Sequence, residues 1–337
     1  IWKMENKLFL TVDVECHDLG KRNLYLDGKI GNEYWGLQKI LEVGKEKNIP
    51  INCFLNVVEC RKYGDDYIAE IVKLIHKYNQ PIYLHIHPSY VMQDGRPMYW
   101  QYNKEEKKRT VLGGRQDYHR LVGREIKAFR AGSYSADSEM YEVLDELCGN
   151  IVDLSYCENY RFCNYKPNVH NRLHKVGRVS VLPNTRFVCF KAFGRKKHAN
   201  LDIASANFNE MKRVLGYIQY PYMVCTMHPW YLFKHYYYKP WTIRKDKYNY
   251  KKLIRFIDCA QSKGWVFSDF EEPLANESNY DQEIDLCNGL QNRMMSFINT
   301  FVRMQRVTRT NKKYLLAYTC FYIIIALIVF TIFTVVL

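Results

Sequence analysis

Short apolar runs alternate along this chain with longer stretches of helical periodicity. Lys7-Leu8-Phe9-Leu10-Thr11-Val12-Asp13-Val14 is a brief apolar segment closing on an acid, the pattern of a buried strand. Residues 32–47 carry helical spacing and stop before Pro50. Residues 51–58, rich in β-branched and aromatic side chains, read as a second strand. Asp65-Asp66 opens a helix with Ile68, Ile71 and Ile75 on one face, and Pro81 precedes a third strand at 82–86. The alternation continues with strands at 126–130, 151–154, 179–182, 222–227 and 265–267, and helices at 135–147, 208–218 and 248–262. Interleaved strands and helices predict an α/β domain with a parallel sheet, open or barrelled, whose site gathers at the carboxyl ends of the strands. There is no internal repeat and no low-complexity segment.

The pattern changes near the carboxyl end. From 284 to 307, Leu286, Leu290, Met294, Phe297, Phe301 and Met304 form one helical stripe. It is expected either to pack on the domain or to lie in a membrane interface, with Arg293, Arg303 and Arg306 toward headgroups. Residues 314–337 carry no charge over 24 positions. As helix they would span about 36 Å, against a hydrocarbon core of about 30 Å, so a transmembrane helix is expected. The expected divisions are an α/β domain at 4–272, an amphipathic basic connecting helix at 273–313 and the span at 314–337. Arg303, Arg306, Arg309, Lys312 and Lys313 precede the span, so the positive-inside rule puts the large domain on the cytoplasmic side. Residues 7–12 are too short for a secretory signal, and Ile1-Trp2-Lys3 stands before Met4, which is then either the start or an internal residue of a fragment.

The net charge of +14 changes this picture little. Its basic residues concentrate near the span and in 234–255, so an anionic membrane surface accounts for them better than nucleic acid, for which no module is found. The 11 cysteines form no CxxC pair and no regular spacing, which argues against a disulfide framework or a structural zinc site. The 28 tyrosines suit sugar stacking or an interface.

The chemistry sits at four strand ends: Asp13-Val14-Glu15, His85-Ile86-His87-Pro88, Arg130-Ala131-Gly132 and His228-Pro229-Trp230. Each has a bland reading alone, as a helix cap, a surface histidine pair, a salt-bridge partner or a loop residue. Together they hold two histidines and a carboxylate for a divalent metal with open positions, a second carboxylate as base, an arginine to pair with it, and a separate histidine as acid. That set suffices for metal-assisted amide hydrolysis.

The order and spacing resemble the polysaccharide deacetylases, the NodB-homology or carbohydrate esterase family 4 group, from about Phe9 to Phe267. Thr11-Val12-Asp13-Val14-Glu15 is similar to the first motif, Ile51-Asn52-Cys53-Phe54-Leu55-Asn56 to the strand that follows, and Tyr83-Leu84-His85-Ile86-His87-Pro88 to the histidine motif. Phe129-Arg130-Ala131-Gly132-Ser133-Tyr134 is similar to the arginine motif and Met227-His228-Pro229-Trp230 to the last one. Two departures stand out: Val14 occupies the place of the usual metal-ligand aspartate, and Ser89 that of the usual second histidine, leaving His87 to serve. The resemblance implies a distorted (β/α) barrel of the glycoside hydrolase/deacetylase type. It implies a zinc-like metal on His85, His87 and either Asp13 or Glu15, with the other carboxylate as base paired to Arg130. It implies His228 as acid, and Gly132, Ser133 and Trp230 toward oxyanion and substrate. The implied substrate is an N-acylated amino sugar, lipid-linked if the span holds the domain at a membrane. The alternatives are an inactive membrane-tethered sugar-binding protein of the same fold and a metal-independent allantoinase-like amidohydrolase.

Overall fold

The computed structural model describes residues 5–289 except 159, 193, 237, 238 and 275–279, and beyond them 292, 296 and 299. At its centre β1 (Lys7–Val14), β2 (Asn52–Asn56), β3 (Ile82–Ile86), β4 (Ala128–Ala131) and β5 (Val152–Asp153) lie side by side in that order, all parallel. β6 (His174–Val176) and β7 (Val179–Val181) end the sheet as an antiparallel pair, β7 against β5. β8 (Arg186–Ala192) and β9 (Arg195–Asn200) form a separate ribbon. β10 (Tyr222–Met227) flanks β1 on its other side, and β11 (Val266–Phe267) pairs with the start of β1.

The sheet is curled, and its ends are not joined by continuous strand pairing. Pro183, which has no N–H for a ladder, follows β7. The remaining gap to β10 is crossed by single bonds, Leu201 N–H to Thr185 O at 2.8 Å and Thr226 N–H to Leu201 O at 3.0 Å. The expected barrel is thus a curled, mainly parallel sheet.

Side chains alternate across it. Leu8, Leu10, Val12 and Val14 face the helices with Cys53, Leu55, Leu84 and Ile86, whereas Phe9, Phe54, Tyr83, Val152, Tyr222 and Val224 meet inside with Phe270. The rings of Phe9 and Phe270 stack at 4.4 Å. Each buried ring contributes roughly 2–3 kcal/mol of transfer energy, and together they plug the lower sheet. One step further along the same inward faces the residues turn polar: Thr11, Asp13, Asn56, His85, Arg130 and Thr226, all buried. The apolar plug is therefore the dry floor of a polar layer.

Helices α1 (Leu37–Lys47), α2 (Asp65–Lys77), α4 (Ser138–Leu147), α5 (Phe208–Val214) and α6 (Lys247–Ser262) lie where periodicity predicted helix. α1 starts five residues later than residue 32, because Gly36 is wedged against Leu26, where a Cβ would fall 1.9 Å from the Leu26 carbonyl oxygen. The 19-residue α3 (Lys104–Val122) has no counterpart among the helices that periodicity predicts. It is polar and has Gly113-Gly114 at its middle, which weakens both periodicity and propensity. The glycines serve close packing: a Cβ on Gly114 would sit 2.2 Å from Ile86 Cδ1. Its Asn103–Glu106 capping box was the visible signal.

The stripe read from residue 284 does not begin as a helix. β12 (Ile284–Asp285) pairs in parallel with β8, Ile284 beside Phe187, and buries Ile284 and Leu286. Leu290, Arg293, Met294, Phe297, Phe301, Arg303, Met304 and Arg306, and the expected span at 314–337, lie outside the described residues. Among the described residues no helix is long and apolar enough to cross a membrane. The described cysteines are free and mostly buried.

Asp153, at the end of β5, is fully buried and accepts from Tyr141 Oη at 2.8 Å, Ser155 N at 2.9 Å and Ser155 Oγ at 2.6 Å. Burial outweighs these bonds and pushes its carboxyl up to about 6. A carboxyl raised in the folded state contributes its full stability below about pH 4, and that contribution is lost as pH rises through about 6. Asp153→Asn keeps an acceptor and removes the charge. Its unfolding free energy is expected to gain on wild type by about 3 kcal/mol between pH 4 and pH 7. Urea titrations at both pH values measure the difference, and a pH-independent gap would show that Asp153 is not held in this way.

Candidate active site

The parallel register brings the four strand ends level. Asp13 stands beside Phe54, Asn56 beside His85, and His85 beside Arg130. Period-two alternation then aims Asp13 and Glu15, and likewise His85 and His87, into one space. His87 Nε2 lies 2.6 Å and His85 Nε2 3.4 Å from Glu15 Oε2. His85 Nδ1 is 2.9 Å from the Arg130 carbonyl oxygen, which only accepts, so the proton belongs on Nδ1 and the Nε2 lone pair faces the carboxylate.

One carboxylate oxygen and two ring nitrogens of Glu15, His85 and His87 fall within 4.8 Å of one another. Glu15 Oε2 is buried, yet no aligned hydrogen bond reaches it among the described residues, despite the nearby rings. An orphaned carboxylate oxygen facing imidazole lone pairs calls for a cation, and two histidines with one carboxylate suit a zinc-like ion with open positions. Burial works to raise the Glu15 carboxyl. The charge of His87 foremost, with the His228 and His85 rings close by, overcomes this and holds it well below the usual range.

Asp13 belongs to a different arrangement. The Arg130 guanidinium, fully buried, donates from Nη1 to Asp13 Oδ1 and from Nη2 to Thr11 Oγ1 at 2.9 Å, with its Cζ 4.3 Å over the Phe54 ring. The sequence left Asp13 and Glu15 interchangeable. The geometry separates them, with Glu15 among the histidines and Asp13 on the arginine. His228 approaches both, its Nε2 3.6 Å from Glu15 Oε1 and 3.8 Å from Asp13 Oδ2. Burial lowers its pKa, and Glu15 and Asp13 more than reverse this, so His228 holds a proton above the ordinary histidine range. Trp230 lies against His228 with ring centroids 4.3 Å apart.

Gly132 and Ser133 have less uniform roles. Gly132 is demanded by space rather than by φ: a Cβ there would meet His87 Cγ and Nδ1 at 2.5 Å. Ser133 and Tyr134 follow in left-handed conformation, φ 55° and 53°, a costly pair in non-glycine residues that turns Ser133 into the adjoining cleft. The Ala131 N–H is already used by Ser155 Oγ at 2.8 Å. Gly132→Ala is expected to displace the His87 ring. Zinc affinity should fall by about 10–100-fold, the typical worth of a residue that orients a ligand, with a stability loss of about 1–3 kcal/mol. A zinc competition titration with a melting curve checks this. Unchanged affinity in a folded variant would remove His87 from the ligand set.

Two further residues were not found from the sequence. Glu59, just past β2, accepts from Cys16 N at 2.8 Å, Asn56 Nδ2 at 3.0 Å and Tyr67 Oη at 3.2 Å. Asn56 Oδ1 in turn accepts from His87 N at 3.3 Å, so Glu59 ties together the backbones carrying Glu15 and His87. Burial pushes its carboxyl up to about 8. A lone glutamate after a strand carries no sequence signal for such a role. His17, half-exposed and 3.6 Å from Glu15 Oε1, stood two residues from Glu15 on the same alternating face, a signal that could have found it.

No protein-family model matches the chain, and no curated protein matches its sequence. Solved structures do resemble it. One, from Mycobacterium smegmatis and assigned to the polysaccharide deacetylases, is 14% identical, covers 80% of this chain and 89% of its own, and superposes with a TM-score of 0.50. A family 4 carbohydrate esterase from Streptomyces lividans, in complex with acetate, is 10% identical over 83% of this chain and all of its own, with a TM-score of 0.45. A family 4 pseudoenzyme from Bacillus anthracis is 12% identical over 83% of this chain and 69% of its own, with a TM-score of 0.45. The first of these likenesses shows the fold.

Proposed function

We propose that this chain is a metal-dependent hydrolase that removes an N-acyl group, acetyl in the simplest case, from an amino sugar. The observation that carries the reading is the separation of the two carboxylates within one pocket, Glu15 with His85 and His87, Asp13 with Arg130, and His228 reaching both. Glu15, His85 and His87 would hold the ion. A divalent cation there supplies a Lewis acid for the amide carbonyl and the attacking water. Asp13, oriented by Arg130, takes the water's proton. The N–H groups beyond Arg130, at Gly132 and Ser133, would serve the developing oxyanion. His228 gives its proton to the departing amine, and Trp230 packs on the His228 ring and walls the sugar side.

We further propose that residues 314–337 anchor the domain at a membrane from the cytoplasmic side, on the strength of the uncharged 24-residue run and the basic cluster before it. A lipid-linked sugar would then lie within reach.

The test is product analysis with N-acetylated amino sugars, measuring acetate and free amine with zinc and with chelator. Release that zinc restores and chelator stops is expected. Equal release under chelation would favour the metal-independent reading. Sugar binding without release would favour the inactive binding protein.

A further inference from the structure

Beside the Glu15–His85–His87 cluster opens a cleft of about 710 Å³, lined by His17, His87, Arg61, Lys62, Tyr90 and Ser133 among others, with no carboxylate in its lining. The cations come from the short turn of helix that follows β2. Arg61 is held from behind: its Nε donates to Asp117 Oδ2 at 2.6 Å, and Asp117 Oδ1 is shared with Arg120 Nη2 at 3.1 Å. That anchor leaves the two Arg61 terminal nitrogens without an acceptor among the described residues. Lys62 Nζ stands 5.1 Å from the Tyr63 ring centroid and 5.7 Å from that of Tyr90, with no carboxylate in ion-pair range among the described residues. Arg61 and Arg120 are paired with Asp117 and Asp65, whereas Lys62 is in ion-pair contact with neither and adds a positive charge to the cleft lining.

Resting on the hydrolase reading above, we propose that this cleft binds a phosphate carried by the substrate, so that the N-acylamino sugar is a glycosyl phosphate rather than a neutral sugar. The guanidinium presents fixed paired donors and the ammonium a mobile point charge. That combination matches a tetrahedral oxyanion, whereas a neutral glycan would gain nothing from the Lys62 charge. The Tyr90 face beside Lys62 offers an apolar surface to the sugar ring. The cleft shares His87 with the metal cluster, so a phosphate seated on Arg61 and Lys62 leaves its sugar within reach of the acyl-transfer site.

The experiment measures binding, without turnover, of N-acetylglucosamine 1-phosphate, N-acetylglucosamine and an N-acetylated amino uronic acid to the zinc-loaded full chain. The phosphate is expected to bind about 10-fold or more tightly than the neutral sugar, the worth of one charge-assisted contact. The preference should fall with added salt and shrink toward unity in Arg61→Gln and Lys62→Gln. Zinc content and melting temperature, measured alongside, show that these variants are folded. Equal binding of phosphate and neutral sugar overturns the proposal. So does a preference that survives the double variant, which would mean that the metal itself holds the phosphate, and so does tighter binding of the uronic acid, which would make the ligand a carboxylate. A protein that binds the phosphate selectively but releases no acetate leaves the cleft standing and defeats the hydrolase reading alone. Acetate release without phosphate preference does the reverse.

Discussion

His85→Ala is expected to abolish measurable zinc binding and hydrolysis together. His85 is buried, its Nδ1 proton is directed at the Arg130 carbonyl oxygen, and its Nε2 faces Glu15. The ring therefore has one free function, to offer a lone pair to a cation. Residues that orient a ligand are worth about 10–100-fold in metal affinity, and losing one of three protein ligands should exceed that. The substitution also opens a small cavity and removes one buried hydrogen bond, a cost of about 1–3 kcal/mol that the domain should survive. A chromophoric zinc competition assay, a melting curve and a turnover measurement on the same preparation separate the outcomes. A folded variant that keeps wild-type zinc affinity would place the ion, if any, on other groups. Lost activity with retained zinc would turn His85 into a positioning residue.

His228→Ala should cut turnover by about 10²–10⁴-fold while leaving zinc affinity far less affected than in His85→Ala. His228 reaches Glu15 through Oε1, the oxygen turned away from the histidine pair, and lies 3.8 Å from Asp13 on its other flank. It carries a raised pKa because both carboxylates favour its charged form, which is the form an acid requires. Without it the amine leaves unprotonated unless water serves. A substrate with a better leaving group should therefore recover part of the loss, and a neutral packing role for His228 would not produce that recovery. If the folded variant turns over at the wild-type rate, His228 has no part in proton transfer.

The positions of most elements were legible in the chain. Apolar runs ending in acids or histidines marked β1, β3 and β10, and periodicity marked α2 and α6, because burial on one or two faces imposes those periods directly. The four strand-end motifs were legible for the same reason, since alternation puts Asp13 with Glu15, and His85 with His87, on one face whatever the sheet does next. α3 was not legible, since its two glycines are chosen for contact with Ile86 and Arg61, partners remote in sequence. β12 was not legible either: Ile284 and Leu286 fit a helical stripe as well as an edge strand, and only pairing with Phe187 decides between them.

By itself the sequence determined that an α/β sheet would present acids, histidines and an arginine at its carboxyl edge, because local periodicity controls which face a side chain takes. The partners that each carboxylate meets come from the tertiary structure alone. Asp13 and Glu15 are two residues apart and chemically alike, and nothing local distinguishes them. The curl of the sheet carries Arg130, 117 residues away, onto Asp13, and His85 and His87 onto Glu15. Charge partners in a buried layer act over a few ångströms, so which groups meet there is set by register and curvature, which no short stretch of sequence encodes.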